Sequence, residues 1–192
     1  MVNIKENKKI VINLLKSTKK EGINDLINYL EKNNYFESPA AIRYHSTFEG
    51  GLVYHSLSVY NLYKKLYQEI FKLDFEEIKN EIIIAALLHD LCKLGLYLKE
   101  GNKYITNKNH PNKHAMLSIE IIKQFITLTE FEEKLIKYHM GMYGIKELSR
   151  NTLPEYNIFQ LAGTYCNKKI KLFYFCDDLS SQFMESDKQW FK

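Results

Sequence analysis

Apolar side chains recur along the chain at intervals of three and four, and this period predicts a protein built mostly of helices. Residues 24–33 carry Leu26, Ile27, Tyr29 and Leu30 on one partly apolar face, with Asn24 or Asp25 as the starting cap. Residues 50–71 begin at two glycines and repeat Leu52, Leu57, Tyr60, Leu62 and Leu66 at approximately helical spacing. Residues 74–93 open with acidic side chains, which suit the positive end of a helix dipole, and Gly95 is a natural stop. Two further helices are expected over 111–125, with Pro111 near its start, and over 129–141, where Thr129 and Glu132 have capping-box spacing. A last core helix is expected over 168–185, strongly apolar in its middle. Residues 96–106 break the rhythm, and their Lys-Glu-Gly-Asn-Lys centre suits a small hairpin or a flexible loop. The fold class expected is therefore all-α, a helical bundle with a small β-hairpin insertion near 96–106.

Pro39, Pro111 and Pro154 all fall in connections, as they must if the helices are to run unbroken. No internal repeat or low-complexity linker divides the sequence. We read an N-terminal helical extension over 1–37, one domain over 38–185 and a tail over 186–192.

Composition narrows the class. A chain of 192 residues, 45% hydrophobic and 14% aromatic, suits one well-filled core. The net charge of +4 permits an anionic ligand such as a phosphate ester and is too weak to indicate nucleic acid. Scattered lysines such as Lys8, Lys9, Lys19 and Lys20 read as solvated surface. Cys92, Cys166 and Cys176 are odd in number and have no CxxC spacing, a poor framework for disulfides or a zinc-thiolate site. The first residues lack a signal-type apolar core, and no apolar stretch approaches the roughly 18 residues a membrane span needs. The expectation is a cytoplasmic protein with no membrane partner.

Candidate chemistry changes this picture most. The stretch IIIAALLHDLCKLG, residues 82–95, runs from apolar side chains straight into His89, Asp90 and Lys93. Burying such groups without partners is expensive. Six histidines occur, at 45, 55, 89, 110, 114 and 139. One histidine on an apolar helix is ordinarily a hydrogen-bonded core residue. Here His55, His89, His114 and His139 fall on four successive expected helices, each beside apolar neighbours that burial would turn inward. A bundle core can gather ligands from facing helices in this way. Asp90 follows His89 directly, and the two reach one ion if it sits near the end of their helix. Asp177 and Asp178 offer a second carboxylate after the apolar run of the last helix. Mixed imidazole and carboxylate donors favour Mn, Fe, Co, Ni or Zn over an all-oxygen magnesium site. Such a site supports hydrolysis by water made acidic at a cation.

His55, the pair His89-Asp90, His114, His139 and Asp177 together resemble the H…HD…H…H…D signature of the HD-domain metal-dependent phosphohydrolases. The segments EGGLVYHSLSVY, AALLHDLCKLG, HAMLSIEII, LIKYHMG and FCDDLSS each resemble a family segment, in the family's order, and the last aligns Asp177 rather than Asp178. The likeness spans roughly residues 38 to 183. The family often has glycine where this chain has Cys92, which reads as a small packed residue. His110, just before Pro111, reads as loop surface.

The resemblance implies that His55, His89, Asp90 and Asp177 hold a first divalent ion. It implies that His114 and His139 hold a second ion or contact the substrate phosphate. Lys93 would neutralise developing phosphoryl charge or pair with Asp90. The stretch SPAAIRYHSTFEGG is similar to one found before the first ligand in some family members. By that likeness Arg43 and His45 line the pocket, Arg43 as a bidentate phosphate clamp and His45 against substrate or a ligand. The activity implied is phosphomonoesterase or phosphodiesterase action on a nucleotide or a short or cyclic oligonucleotide. Long nucleic acid is disfavoured, because no basic stripe or binding module is present. The alternative is a non-catalytic nucleotide-binding or regulatory module, against which full retention of the signature residues counts. Homo-oligomer formation stays open.

Overall fold

The computed structural model describes residues 3–43, 45–101, 103–111, 114–141 and 167–184, with side chains to 182. The described residues form seven α-helices and one two-stranded sheet. The helices are α1 (Ile4–Ser17), α2 (Ile23–Lys32), α3 (Gly51–Phe71), α4 (Lys79–Leu88), α5 (His114–Ile122), α6 (Glu130–Tyr138) and α7 (Lys168–Leu179). Strands β1 (Tyr97–Glu100) and β2 (Lys103–Thr106) pair antiparallel, with Tyr97 opposite Thr106 and Lys99 opposite Tyr104. The expected helical bundle with a hairpin over 96–106 is the architecture observed. The expected tail over 186–192, Cys166 and Pro154 lie outside the described residues.

α4 is the centre of the molecule. From Ile82 to Leu88 every side chain is 1% exposed or less, so the helix is apolar all round and must be enclosed on every side. α1, α3 and α6 enclose it, and α7 packs on α3 and α6. Burying each large aliphatic side chain contributes about 1.5–3 kcal/mol, so this one helix carries a large share of the driving force. Tyr63 of α3 and Phe173 of α7 pack with ring centroids 5.9 Å apart, and Tyr67 stacks on Tyr63 at 5.9 Å. The N-terminal helices join the same core: Val11, Leu15, Leu26 and Leu30 are fully buried in the cluster that holds α3 and α4. No described helix is long and apolar enough to cross a membrane.

Local chemistry sets the ends of these elements. Asn3 caps α1 by accepting from the Glu6 N–H. Thr129 and Glu132 form the capping box expected at α6. Glu132 is buried and also meets Lys20 Nζ at 2.9 Å, which ties the α1–α2 turn to α6. α2 differs from expectation: its cap is Gly22 in the left-handed region, and Asn24 and Asp25 lie inside the first turn. The segment expected as one helix over 74–93 is three pieces: a 3₁₀ turn at Phe75–Glu77, α4, and a second 3₁₀ turn at Leu91–Lys93. Gly51, at the start of α3, packs directly on the Ser46 carbonyl, and a Cβ there would meet that oxygen at 2.0 Å. The glycine thus lets the 38–46 segment lie against the helix that carries His55.

Candidate metal centre

Five helices deliver six side chains to one place. His55 comes from the second turn of α3. His89 and His139 are the C-cap residues of α4 and α6. The last carbonyls of a helix lack intrahelical partners. Each of these histidines donates its Nδ1 proton to the carbonyl three residues earlier, His89 to Ala86 at 3.0 Å and His139 to Ile136 at 2.6 Å. Both rings therefore turn Nε2 inward, as a lone-pair donor at His139 and, once its proton is lost, at His89. His114 opens α5, with Nδ1 3.1 Å from the Cys92 sulfur. Burial pushes the Cys92 thiol up to about 12, so it stays a neutral thiol beside the imidazole rather than a nucleophile. The Cys92 N–H in turn donates to Ser118 Oγ at 2.9 Å, fixing the turn after α4 against α5.

Asp90 is the hub. Its Oδ2 lies 3.7 Å from His55 Nε2, 3.4 Å from His89 Nε2 and 2.7 Å from Lys93 Nζ. Its Oδ1 faces His114 Nε2 at 3.5 Å and His139 Nε2 at 3.7 Å. Asp177 of α7 closes the other side, 2.9 Å from His55 Nε2 and 3.6 Å from His89 Nε2. The His45 ring stands 5.2 Å from that of His55. Arg43, two residues earlier, is exposed. Asp178 is half-buried beside the cluster, and burial with the neighbouring Asp177 raises its carboxyl. His110 is half-buried in its loop, with Nε2 3.0 Å from the Leu94 carbonyl.

The charges divide sharply. Burial favours neutral carboxyls, yet Lys93 and His89 hold Asp90 well below the usual carboxylate range, and His55 and His89 do the same for Asp177. Burial works against a charged His89, but the two carboxylates outweigh it and raise the imidazole to about 10. Burial, with His89 nearby, lowers His139 to about 3. Burial also lowers His114. Asp90 more than offsets the burial of Lys93 and raises it.

This donor set fits a divalent cation. Asp90 Oδ1 is buried and makes no hydrogen bond. The Nε2 atoms of His114 and His139 approach to 3.3 Å beside that oxygen, and with His114 protonated on Nδ1 two imidazole lone pairs converge on it. Such an arrangement is repulsive unless a positive charge lies among the three atoms. Among the described residues, three donor groups are compact enough to hold an ion: His55, His89 and Asp90; His89, His139 and Asp177; and Asp90, His114 and His139. Asp90 belongs to two of them and turns Oδ2 to His55 and His89 and Oδ1 to His114 and His139, so its carboxylate would be available to two ions.

A cation entering this site must displace the proton held on His89. Affinity should therefore rise as pH rises from 6 through 9, by up to about tenfold per unit for each proton released. Competition with a chelator across that range measures the slope, and a flat profile would show that His89 is not a ligand.

Residues 52–180 match the family model described as HD domain. That match covers more than half of the chain, and the chain belongs to the HD domain family. It is also similar to dihydroneopterin 2′,3′-cyclic phosphate phosphodiesterase of Methanocaldococcus jannaschii, 37% identical over 65 residues. Those residues are 33% of this chain and 26% of that protein, so the match spans about a quarter of the relative's length. No solved structure matches the chain significantly.

Two features of the site had little trace in the sequence. The contact of Cys92 with His114 joins residues 22 positions apart and depends on how α5 docks. Tyr97 of β1 lies within the electrostatic reach of Lys93 and Asp90, and burial raises its hydroxyl. Only its position four residues after Lys93 pointed towards it.

Proposed function

We propose that this protein is a metal-dependent phosphohydrolase acting on a nucleotide or a short or cyclic oligonucleotide. The observation that carries the proposal is the convergence of four imidazoles with the carboxylates of Asp90 and Asp177, and the Lys93 ammonium beside them. His55, His89, Asp90 and Asp177 hold a first divalent ion of the Mn, Fe, Co, Ni or Zn type. His114 and His139, with Asp90 Oδ1, hold a second ion or the substrate phosphate. A bound divalent ion makes water acidic enough to attack near neutral pH and neutralises phosphoryl charge.

The chain's own groups do the rest. Lys93 holds Asp90 in one orientation through the 2.7 Å contact and presents positive charge where the phosphoryl oxygens develop theirs. His89 and His139 keep their rings fixed through their backbone hydrogen bonds. His45 orients His55 or meets the substrate, and Arg43 takes a phosphate oxygen at the outer edge of the site. The reaction forms a bond from water oxygen to phosphorus, breaks the ester P–O bond and returns a proton to the departing oxygen. No protein nucleophile takes part. The Methanocaldococcus relative is named for phosphodiesterase action on a cyclic 2′,3′-phosphate, which supports the diesterase arm of this proposal.

The test is phosphate or monoester release by the purified chain with Mn, Co or Ni against mononucleotides, 2′,3′-cyclic nucleotides and short oligonucleotides. Turnover with one of these classes is expected. Bound metal and tight nucleotide binding without turnover would instead identify a regulatory module.

A further inference from the structure

A groove of about 520 Å³ lies between the β-hairpin, α2 and the chain around residues 37–39. This volume suits a small organic ligand. Its lining combines Tyr29, Tyr97 and Tyr104 with Asn33, Lys32 and Lys99. Strand geometry accounts for the hairpin's share. Side chains alternate faces along a strand, and Lys99 pairs with Tyr104, so Tyr97, Lys99 and Tyr104 stand on one face, while Ile105 stands on the other with its partner Leu98, which reaches the groove's edge. The Lys99 ammonium meets Glu49 at 3.2 Å and pins the hairpin to the chain just before α3. Asn107 closes the base of the hairpin, its backbone N–H donating to the Leu96 carbonyl and its side chain to the Gly95 carbonyl.

Both walls of the groove are continuous along the chain with segments that carry the metal-centre residues. Leu94 and Gly95 line it and follow Lys93 directly. Glu49 and Ser38 line the other wall, and the Ser38 carbonyl accepts from the Leu52 N–H one turn before His55. Tyr97 belongs at once to the groove and to the electrostatic surroundings of Asp90 and Lys93. Aromatic faces with amide and ammonium groups between them suit a flat, polar-edged ring: the faces stack on it and the polar groups reach its rim.

We infer that this groove binds the planar nitrogen heterocycle of the phosphoester substrate, with Tyr97 and Tyr104 as stacking faces and the phosphoryl group directed to Lys93. The inference rests on the phosphohydrolase reading for its orientation and is tested apart from it. First, free adenosine, guanosine, cytidine and uridine are titrated into the full chain and followed by saturation-transfer NMR. At least one binds at millimolar concentration or better, and Tyr104→Ala weakens it about tenfold, the loss expected for one stacking face. Ile105→Ala, on the opposite face, leaves binding unchanged. Second, hydrolysis of guanosine 2′,3′-cyclic phosphate is compared with that of the base-free glycerol 1,2-cyclic phosphate. Tyr97→Ala and Tyr104→Ala lower the preference for the base-bearing ester about tenfold, chiefly through KM. Nucleoside binding that is absent, or indifferent to both tyrosines, overturns the groove assignment even if both esters are hydrolysed. Tyrosine-dependent binding with no hydrolysis of either ester keeps the groove as a heterocycle site and counts against the phosphohydrolase reading.

Discussion

Replacing Asp90 with asparagine abolishes cation binding and lowers phosphoester turnover by about a thousandfold or more, because the charge that gathers the ion disappears with the shape retained. Asp90 sits in two of the three compact donor groups and presents a different oxygen to each. No other side chain of the cluster faces all four inward-turned imidazoles. The same substitution also strands Lys93, whose half-buried ammonium pairs with the buried Asp90 at 2.7 Å. Breaking a buried pair on one side typically costs about 3–5 kcal/mol, so the single variant is expected to melt earlier as well as to lose activity. A double variant, Asp90→Asn with Lys93→Met, removes the stranded charge and separates the two effects. It should recover much of the stability and still bind no cation. Calorimetry and metal analysis on both variants decide the matter, and recovery of cation binding in the double variant would show that Asp90 is not a ligand.

Lys93→Met has a different signature. The ammonium neutralises Asp90 without donating a lone pair, so its removal leaves the donor set intact and makes Asp90 a stronger ligand. Cation affinity should hold or increase, while turnover should fall by about 10²–10³, the range for loss of one preorganised electrostatic contact. The long apolar side chain of methionine preserves packing in this half-buried position. Loss of the cation together with activity would reduce Lys93 to a structural partner of Asp90. Unchanged turnover would remove it from the chemistry altogether.

The helices were legible because their apolar period is regular and α4 is continuously apolar. The hairpin was legible because Gly101 interrupts a polar run between two short strands. What the sequence concealed lies at points where distant chain segments decide local structure. The cap of α2 is Gly22, and a Cβ there would meet the Phe125 carbonyl at 1.9 Å, a neighbour no local pattern announces. The break after Leu88 was hidden because residues 82–88 are apolar without alternation, so helical phase could not reveal where the helix stops. That break matters for the site. It makes His89 a cap residue, frees the Ala86 carbonyl to orient its ring and lets Asp90 turn towards the imidazoles. The candidate donors themselves stood out because each of the four histidines lies next to residues that had to be buried. Tyr97 and Cys92 did not, since the first acts from the hairpin and the second through a docked helix.

Manganese anomalous diffraction from crystals of the metal-loaded protein tests the central claim most directly. A peak is expected about 2 Å from His55 Nε2, His89 Nε2 and the nearest oxygens of Asp90 and Asp177. A second peak beside Asp90 Oδ1, His114 and His139 would add the bridging ion. Manganese found only at surface carboxylates, with these six side chains unaltered and uncoordinated, would contradict the account.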